Sequence, residues 1–173
     1  LIEFLDGKSE QWGASTGDFI ANTSGSLFAI IQELRWNEQR ALLKFSYYPT
    51  KWALENPEQL GQNNIQRILK DYNGQTYWMS INLKSMFNIQ SVNFPGFLNI
   101  ALGYSADNMI APYPDLEKNR VRQYLLSLDI DLTRLHSKNK FLNSILHTFG
   151  FIKFPMPALE FTNGKLITHP IYY

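Results

Sequence analysis

After residue 40 the sequence changes rhythm. In Leu43-Lys44-Phe45-Ser46-Tyr47 and in Tyr77-Trp78-Met79-Ser80-Ile81-Asn82-Leu83, every second residue is large and apolar while most of those between are polar. Leu98-Asn99-Ile100-Ala101-Leu102-Gly103-Tyr104 repeats the pattern with a small or polar alternate face. The clearest case is Leu126-Ser127-Leu128-Asp129-Ile130-Asp131-Leu132, which puts four aliphatics on one side and Ser127, Asp129 and Asp131 on the other. A period of two is the signature of a strand whose faces meet different surroundings. Turn signals separate the runs: Asn73-Gly74, the Asn93 to Gly96 stretch with Pro95, the polar stretch from Ser105 to Asn119, and Asn163-Gly164.

Before residue 40 the period is helical. Ser15-Thr16-Gly17-Asp18 places Ser15 as a cap and Asp18 near the positive end of the dipole, and the spacing predicts a helix to about Arg40. Gly17, Ala21, Gly25 and Ala29 recur every fourth residue, a small-residue stripe against which another helix backbone can pack closely. Asp18, Asn22, Thr23, Ser24 and Ser26 interrupt the apolar run, leaving fewer than the roughly 18 residues of a membrane span. A helix packed inside protein is the expectation. Residues 1–40 are thus expected to form a helical segment, the C-terminal end of a longer helical region. Residues 41–173 are expected to form a strand-rich region with short amphipathic helices near 62–70 and 138–148.

The expected class is α+β: a helical segment followed by antiparallel strands, either of the outer-membrane β-barrel type or forming a membrane-docked sheet. Membrane barrel strands need about 9–11 residues, alternate lipid-facing with lumen-facing side chains, and carry aromatics at the interfaces. Gln75 to Lys84, Gly96 to Ser105 and Val121 to Leu132 meet the length. Tyr47, Tyr48, Trp52, Tyr77, Trp78, Tyr104, Tyr113, Tyr124 and Tyr173 are candidates for the aromatic belts. The ending Thr168-His169-Pro170-Ile171-Tyr172-Tyr173 is similar to the C-terminal insertion signal of outer-membrane strands, with Thr168 in place of the usual Gly and a Pro170 ill suited to a central strand. A soluble sheet with one face on helices and the other in water reads the same way.

Charged residues are only 18% of the chain, below the roughly 25% of ordinary soluble domains, so the surface is short of charge. Formal net charge is +1 with the signs interspersed, which leaves no basic stripe for nucleic acid. The absence of cysteine removes disulfides, thiolate metal sites and a thiol nucleophile. The chain begins at Leu1 without a basic and then apolar leader, and is expected to be a fragment or processed product of something longer.

Candidate chemistry is sparse. Glu3 and Asp6, and Asp18 and Asn22, are spaced to share helix faces; opposed, they form a set able to hold a hard cation or to supply acid and base to a lipid-headgroup reaction. The competing roles are capping for Asp18, interhelical bonding for Asn22 and a helix end for Glu3 and Asp6. Asp129 and Asp131 are expected in salt bridges with Arg120, Arg122 or Arg134. His136, His147 and His169 lack the spacing of a helical zinc pair, so no metal and no cofactor are assigned. Phosphate-loop, dinucleotide and nucleophile-elbow motifs are missing from the sequence.

Several phrases together resemble the uncharacterised YfiM-like predicted periplasmic lipoproteins in their longer Bacteroidetes form. They are Glu3 to Ser9, Trp12-Gly13-Ala14-Ser15, Gly17 to Gly25, Asp71 to Trp78, Leu102 to Ala106 and Ser127 to Leu132. Glu3, Ser15, Asp18, Asn22 and Gly25 also lie at a spacing similar to one in VanZ-like membrane proteins. Both groups usually carry an upstream Asp-Lys-x-x-His-type segment, which this sequence does not contain. The resemblance implies an envelope location and no defined activity. The expected function is a non-enzymatic outer-membrane or periplasmic component of an envelope assembly, with other envelope proteins and membrane lipid as partners. The alternative is a lipid- or cell-wall-modifying enzyme using Glu3, Asp6, Asp18 and Asn22 with residues further upstream.

Overall fold

The computed structural model describes residues 16–109 and 120–172. Contacts divide the chain into a unit of residues 1–40 and a unit of residues 41–173. The first contains α1, Thr16–Trp36. It stops short of Arg40 because Asn37 takes a left-handed conformation, φ 55°, which ends helices readily at Asn. The next residues fold back instead of continuing: Gln39 Nε2 donates to the Ala29 carbonyl, and the Arg40 amide donates to Gln32 Oε1. No helix among the described residues is long and apolar enough to cross a membrane, a statement that does not bear on strands.

The second unit is a six-stranded antiparallel sheet with each strand beside its sequence neighbour. Its strands are β1 Ala41–Tyr47, β2 Gln75–Asn82, β3 Leu98–Asp107, β4 Val121–Ile130, β5 Met156–Thr162 and β6 Lys165–Tyr172. Short helices α2 Lys51–Glu55, α3 Pro57–Leu60 and α4 Asn64–Lys70 connect β1 to β2; α5 Leu83–Met86 follows β2. A 3-10 turn at Leu132–Arg134 and α6, Lys140–Thr148, connect β4 to β5. Asparagines set the starts of α4 and α6: Asn63 accepts from the Gln66 amide, and Asn139 from the amides of Phe141 and Leu142. These caps place both helices two residues inside the spans read from sequence. Asn163 and Gly164 both have positive φ, 47° and 73°, the backbone of a two-residue hairpin turn matched to strand twist.

The sheet is strongly curled. Lys44 on β1 reaches Asp129 on β4 at 2.7 Å, although three strand spacings would separate them by about 14 Å in a flat sheet. Tyr172 on β6 likewise meets Trp78 on β2, ring centroids 5.8 Å apart. The chain entering β5 returns to the first edge: the Phe45 amide donates to the Phe151 carbonyl, and the Lys153 amide to that of Phe45. Among the described residues the ladder remains open at β6, which pairs there only with β5. That edge position, with a register shift between β5 and β6 next to Met156 and Ala158, accommodates Pro170.

Gly103 makes the tight curl possible. It faces Trp78, and a Cβ built there would stand 2.7 Å from the indole ring, closer than real contacts allow. Trp78 is 1% exposed and donates its Nε1 proton to Ser46 Oγ, so it has nowhere to move. Gly103→Ala is expected to lower unfolding stability by about 1–3 kcal/mol through overpacking. Denaturant titration checks this, and Trp78→Phe in the same chain should recover part of the loss.

Candidate functional site

Pairing in register turns the alternation of each strand into rows that run across the sheet. On the inner face one row reads Lys44, Trp78, Gly103, Leu125, Glu160 and Ile167, and another Leu42, Ser80, Ala101, Ser127, Ala158 and His169. On the outer face, Phe45, Tyr77, Tyr104, Tyr124 and Phe161 are successive partners across five strands. The next outer row is Leu43, Met79, Leu102, Leu126 and Leu159, and beyond it lie Ile81, Ile100 and Leu128.

Most of the buried residues of the sheet are polar, around a small apolar cluster of Trp78, Ala101 and Leu125. Lys44, Ser80, Asn82, Asn99, Ser127, Asp129 and Glu160 are buried, whereas Tyr77, Leu102, Tyr124, Leu126, Leu128 and Phe161 are exposed. The tyrosines of the outer row stand close, with Tyr104 and Tyr124 centroids 5.7 Å apart. Of the aromatics singled out from sequence, Tyr77, Tyr104 and Tyr124 join this row. Trp78 does not: it falls on the opposite phase of β2 and is buried inside. Phe45 and Phe161 complete the row, while Tyr113 and Tyr173 lie outside the described residues.

The inner face is a connected hydrogen-bond network. Asp129 Oδ2 takes the Lys44 ammonium and the Ser80 hydroxyl at 2.7 and 2.6 Å, and its Oδ1 takes the Phe154 amide at 3.1 Å. Asn99 donates to Ser80, and Asn82 donates to Asn99 and to the Gly96 carbonyl. Lys153 donates to the carbonyls of Leu128 and Phe154, with its Nζ 4.9 Å over the Trp78 ring. Burial is the largest influence on Lys153 and lowers its pKa to about 8, with Asp129 pulling upward and Lys44 downward. Among the described residues, no buried side-chain nitrogen or oxygen lacks a partner.

Toward the other end of the curl a cavity of about 560 Å³ is lined by Asp107, Gln123, Glu160, His169 and Tyr172, among others. Glu160 receives Gln123 Nε2 at 2.9 Å and pairs with His169 Nε2 at 2.7 Å. Asp107 accepts the Trp52 indole proton at 2.7 Å. Burial chiefly raises the Tyr172 phenol above its ordinary value. Among the described residues, no three His, Asp or Glu side chains gather in a metal-binding arrangement.

The residues singled out from sequence fare unevenly. Glu3 and Asp6 lie outside the described residues. Asp18 falls in the first turns of α1, and Asn22 is exposed one turn on. Gly17, Ala21 and Ala29 are exposed, and a methyl group added at Gly25 would meet no described atom within 4 Å. Asp131 does pair with Arg134, at 3.2 Å. Asp129 departs from expectation: its partner is Lys44, distant in sequence and brought near by the curl, not a neighbouring arginine. Lys44, Lys153 and the Glu160–His169 pair were not identifiable as partners before the register was known. Comparison with protein-family models, curated proteins and solved structures yields no match.

Two outcomes are expected. Removing a buried charge leaves its partner stranded, so Asp129→Ala should cost about 3–5 kcal/mol in denaturant unfolding, with much of it recovered by adding Lys44→Met. The second concerns pH. An unfolded lysine keeps its proton up to about 10.5, whereas folded Lys153 releases it near 8. Between those values the unfolded state binds more protons, so stability rises with pH, by at most about 3 kcal/mol. The half-buried Tyr47 and Tyr172, whose phenols are raised above the ordinary 10.0, reverse the trend beyond that point. Unfolding curves from pH 7.5 to about 10 should show the rise, and Lys153→Met should flatten it.

Proposed function

We propose that this chain is a non-enzymatic component of a bacterial outer-membrane assembly, whose curled sheet presents its outer face to lipid and keeps a largely polar interior. One observation carries the reading: an unbroken row of five aromatic residues, four of them exposed, with aliphatic rows along one side, lies on the outer face of a sheet many of whose polar residues are buried. In water this distribution would leave large apolar area exposed and bury polar groups that solvent would otherwise hydrate. Against hydrocarbon both terms change sign, and an aromatic row sits where ring edges meet headgroups.

The interior supports a scaffold in place of a conduit. Trp78, Lys153 and the Lys44–Asp129 pair fill it with partnered groups. The open β6 edge supports participation in an assembly, because an unpaired strand edge in lipid leaves several costly backbone groups unsatisfied. Further strands must cover it, and the smallest membrane barrels use about eight. The small-residue stripe Gly17, Ala21, Gly25 and Ala29 offers a helix-packing surface for such a partner. The resemblance to YfiM-like envelope lipoproteins points the same way.

Purified without detergent, the protein should aggregate or remain bound to partner chains. Leu102→Arg, on the outer face, should reduce stability in lipid vesicles by about 2–4 kcal/mol. A monodisperse protein in plain buffer, unaffected or improved by Leu102→Arg, would overturn the proposal.

A further inference from the structure

We infer that α6 and its flanks form an interfacial foot that binds a layer of anionic lipid headgroups, at the end of β4 away from Tyr124. The inference rests on the lipid-facing reading of the sheet. It adds which surface meets the headgroups and which charge it selects.

The helix is cleanly divided. Phe141, Leu142, Ile145, Leu146 and Phe149 fall on one arc at 100° per residue, and Lys140, Asn143, Ser144, His147 and Thr148 on the other. In a soluble protein the apolar arc would be the buried one. Here Phe141 is 74% exposed, and Leu142, Ile145 and Phe149 are exposed as well. Phe151, Ile152 and Phe154, which follow, are also exposed. Amphipathic helices with aromatic and aliphatic residues on one side and lysine on the other lie in the plane of a membrane interface.

Charge identifies the occupant. From Leu132 to Leu159 the sequence contains no Asp or Glu, but it contains Arg134, Lys138, Lys140 and Lys153 together with His136 and His147. Lys153 is buried, and Arg134 is engaged with Asp131. Lys138 and Lys140 remain exposed, Lys140 on the arc opposite the apolar residues, where interfacial helices carry their cationic side chains. A protein partner with an apolar groove would not require this one-sided charge, and a zwitterionic surface would not reward it.

Position agrees. The segment joins the end of β4 to the start of β5. Phe97, exposed just before β3, lies at the same end as Ile130, since Leu98 pairs with it.

The chain has no cysteine, so a single cysteine carries a polarity-sensitive dye unambiguously. The full chain would be reconstituted in phosphatidylcholine vesicles with and without phosphatidylglycerol, labelled at Phe141→Cys or, separately, at Leu102→Cys. Both sites are exposed, so neither label should prevent folding. The expected result is a blue-shifted Phe141→Cys label only with phosphatidylglycerol, a roughly tenfold or greater loss of that response in Lys138→Gln/Lys140→Gln, and a Leu102→Cys label in hydrocarbon in both vesicles. A Phe141→Cys label in water in both vesicles, or equally shifted in both, would overturn the foot while the sheet reading stands. Both labels in water would overturn the two together.

Discussion

Asp129 is the point on which the curl of the sheet depends. Its two oxygens collect a cation from β1, a hydroxyl from β2 and an amide from the segment that leads into β5. A flat sheet would hold these groups too far apart, so the carboxylate is stable only if the strands bend, and the strands stay bent because the carboxylate is fully partnered. A buried ion pair alone is weak evidence for stability, since desolvation can match the Coulomb gain. The added hydrogen bonds at Asp129, and the absence of orphaned buried polar atoms among the described residues, are what make this arrangement tenable.

The same interior explains why small residues recur on one face of the strands. Ser80, Ala101, Gly103, Ser127 and Ala158 leave the space that Trp78, Lys44 and Lys153 occupy. Trp78 then spans the curl to Tyr172 and lies beneath the Lys153 ammonium. Bulk is thus concentrated in a few inner side chains and withheld from the rest. On the outer face it is spread evenly from strand to strand.

The alternation was readable from the residues alone, and so were the strands from Gln75, Leu98 and Val121. The Asn163-Gly164 hairpin was readable as well, since those residues accept positive φ at little cost. Alternation does not say which face is covered, because lumen and solvent both accept Ser, Asn and Asp. Leu128 and Asp129 look the same in sequence whichever way the sheet bends. Nor could neighbouring positions reveal the partners of Asp129: Arg134 is close in sequence and meets Asp131, while Lys44 is remote and arrives only through long-range register. The short helices α2, α3 and α5 escaped notice for a related reason. At four or five residues each, they hold no full apolar period and are set by caps such as Thr50 and Asn82.

Apolar face and open edge together constrain how such a sheet can exist. A largely polar interior with its buried groups partnered leaves the apolar rows outside uncovered by the described residues, and water would penalise them. Hydrocarbon would relieve that penalty but would penalise the open edge of β6, which water tolerates. Neither solvent suits the isolated sheet. Under the proposed lipid-facing reading the two demands are met together by a further strand that completes the ladder while the outer rows stay in lipid, so that reading ties the open edge and the apolar face to one environment.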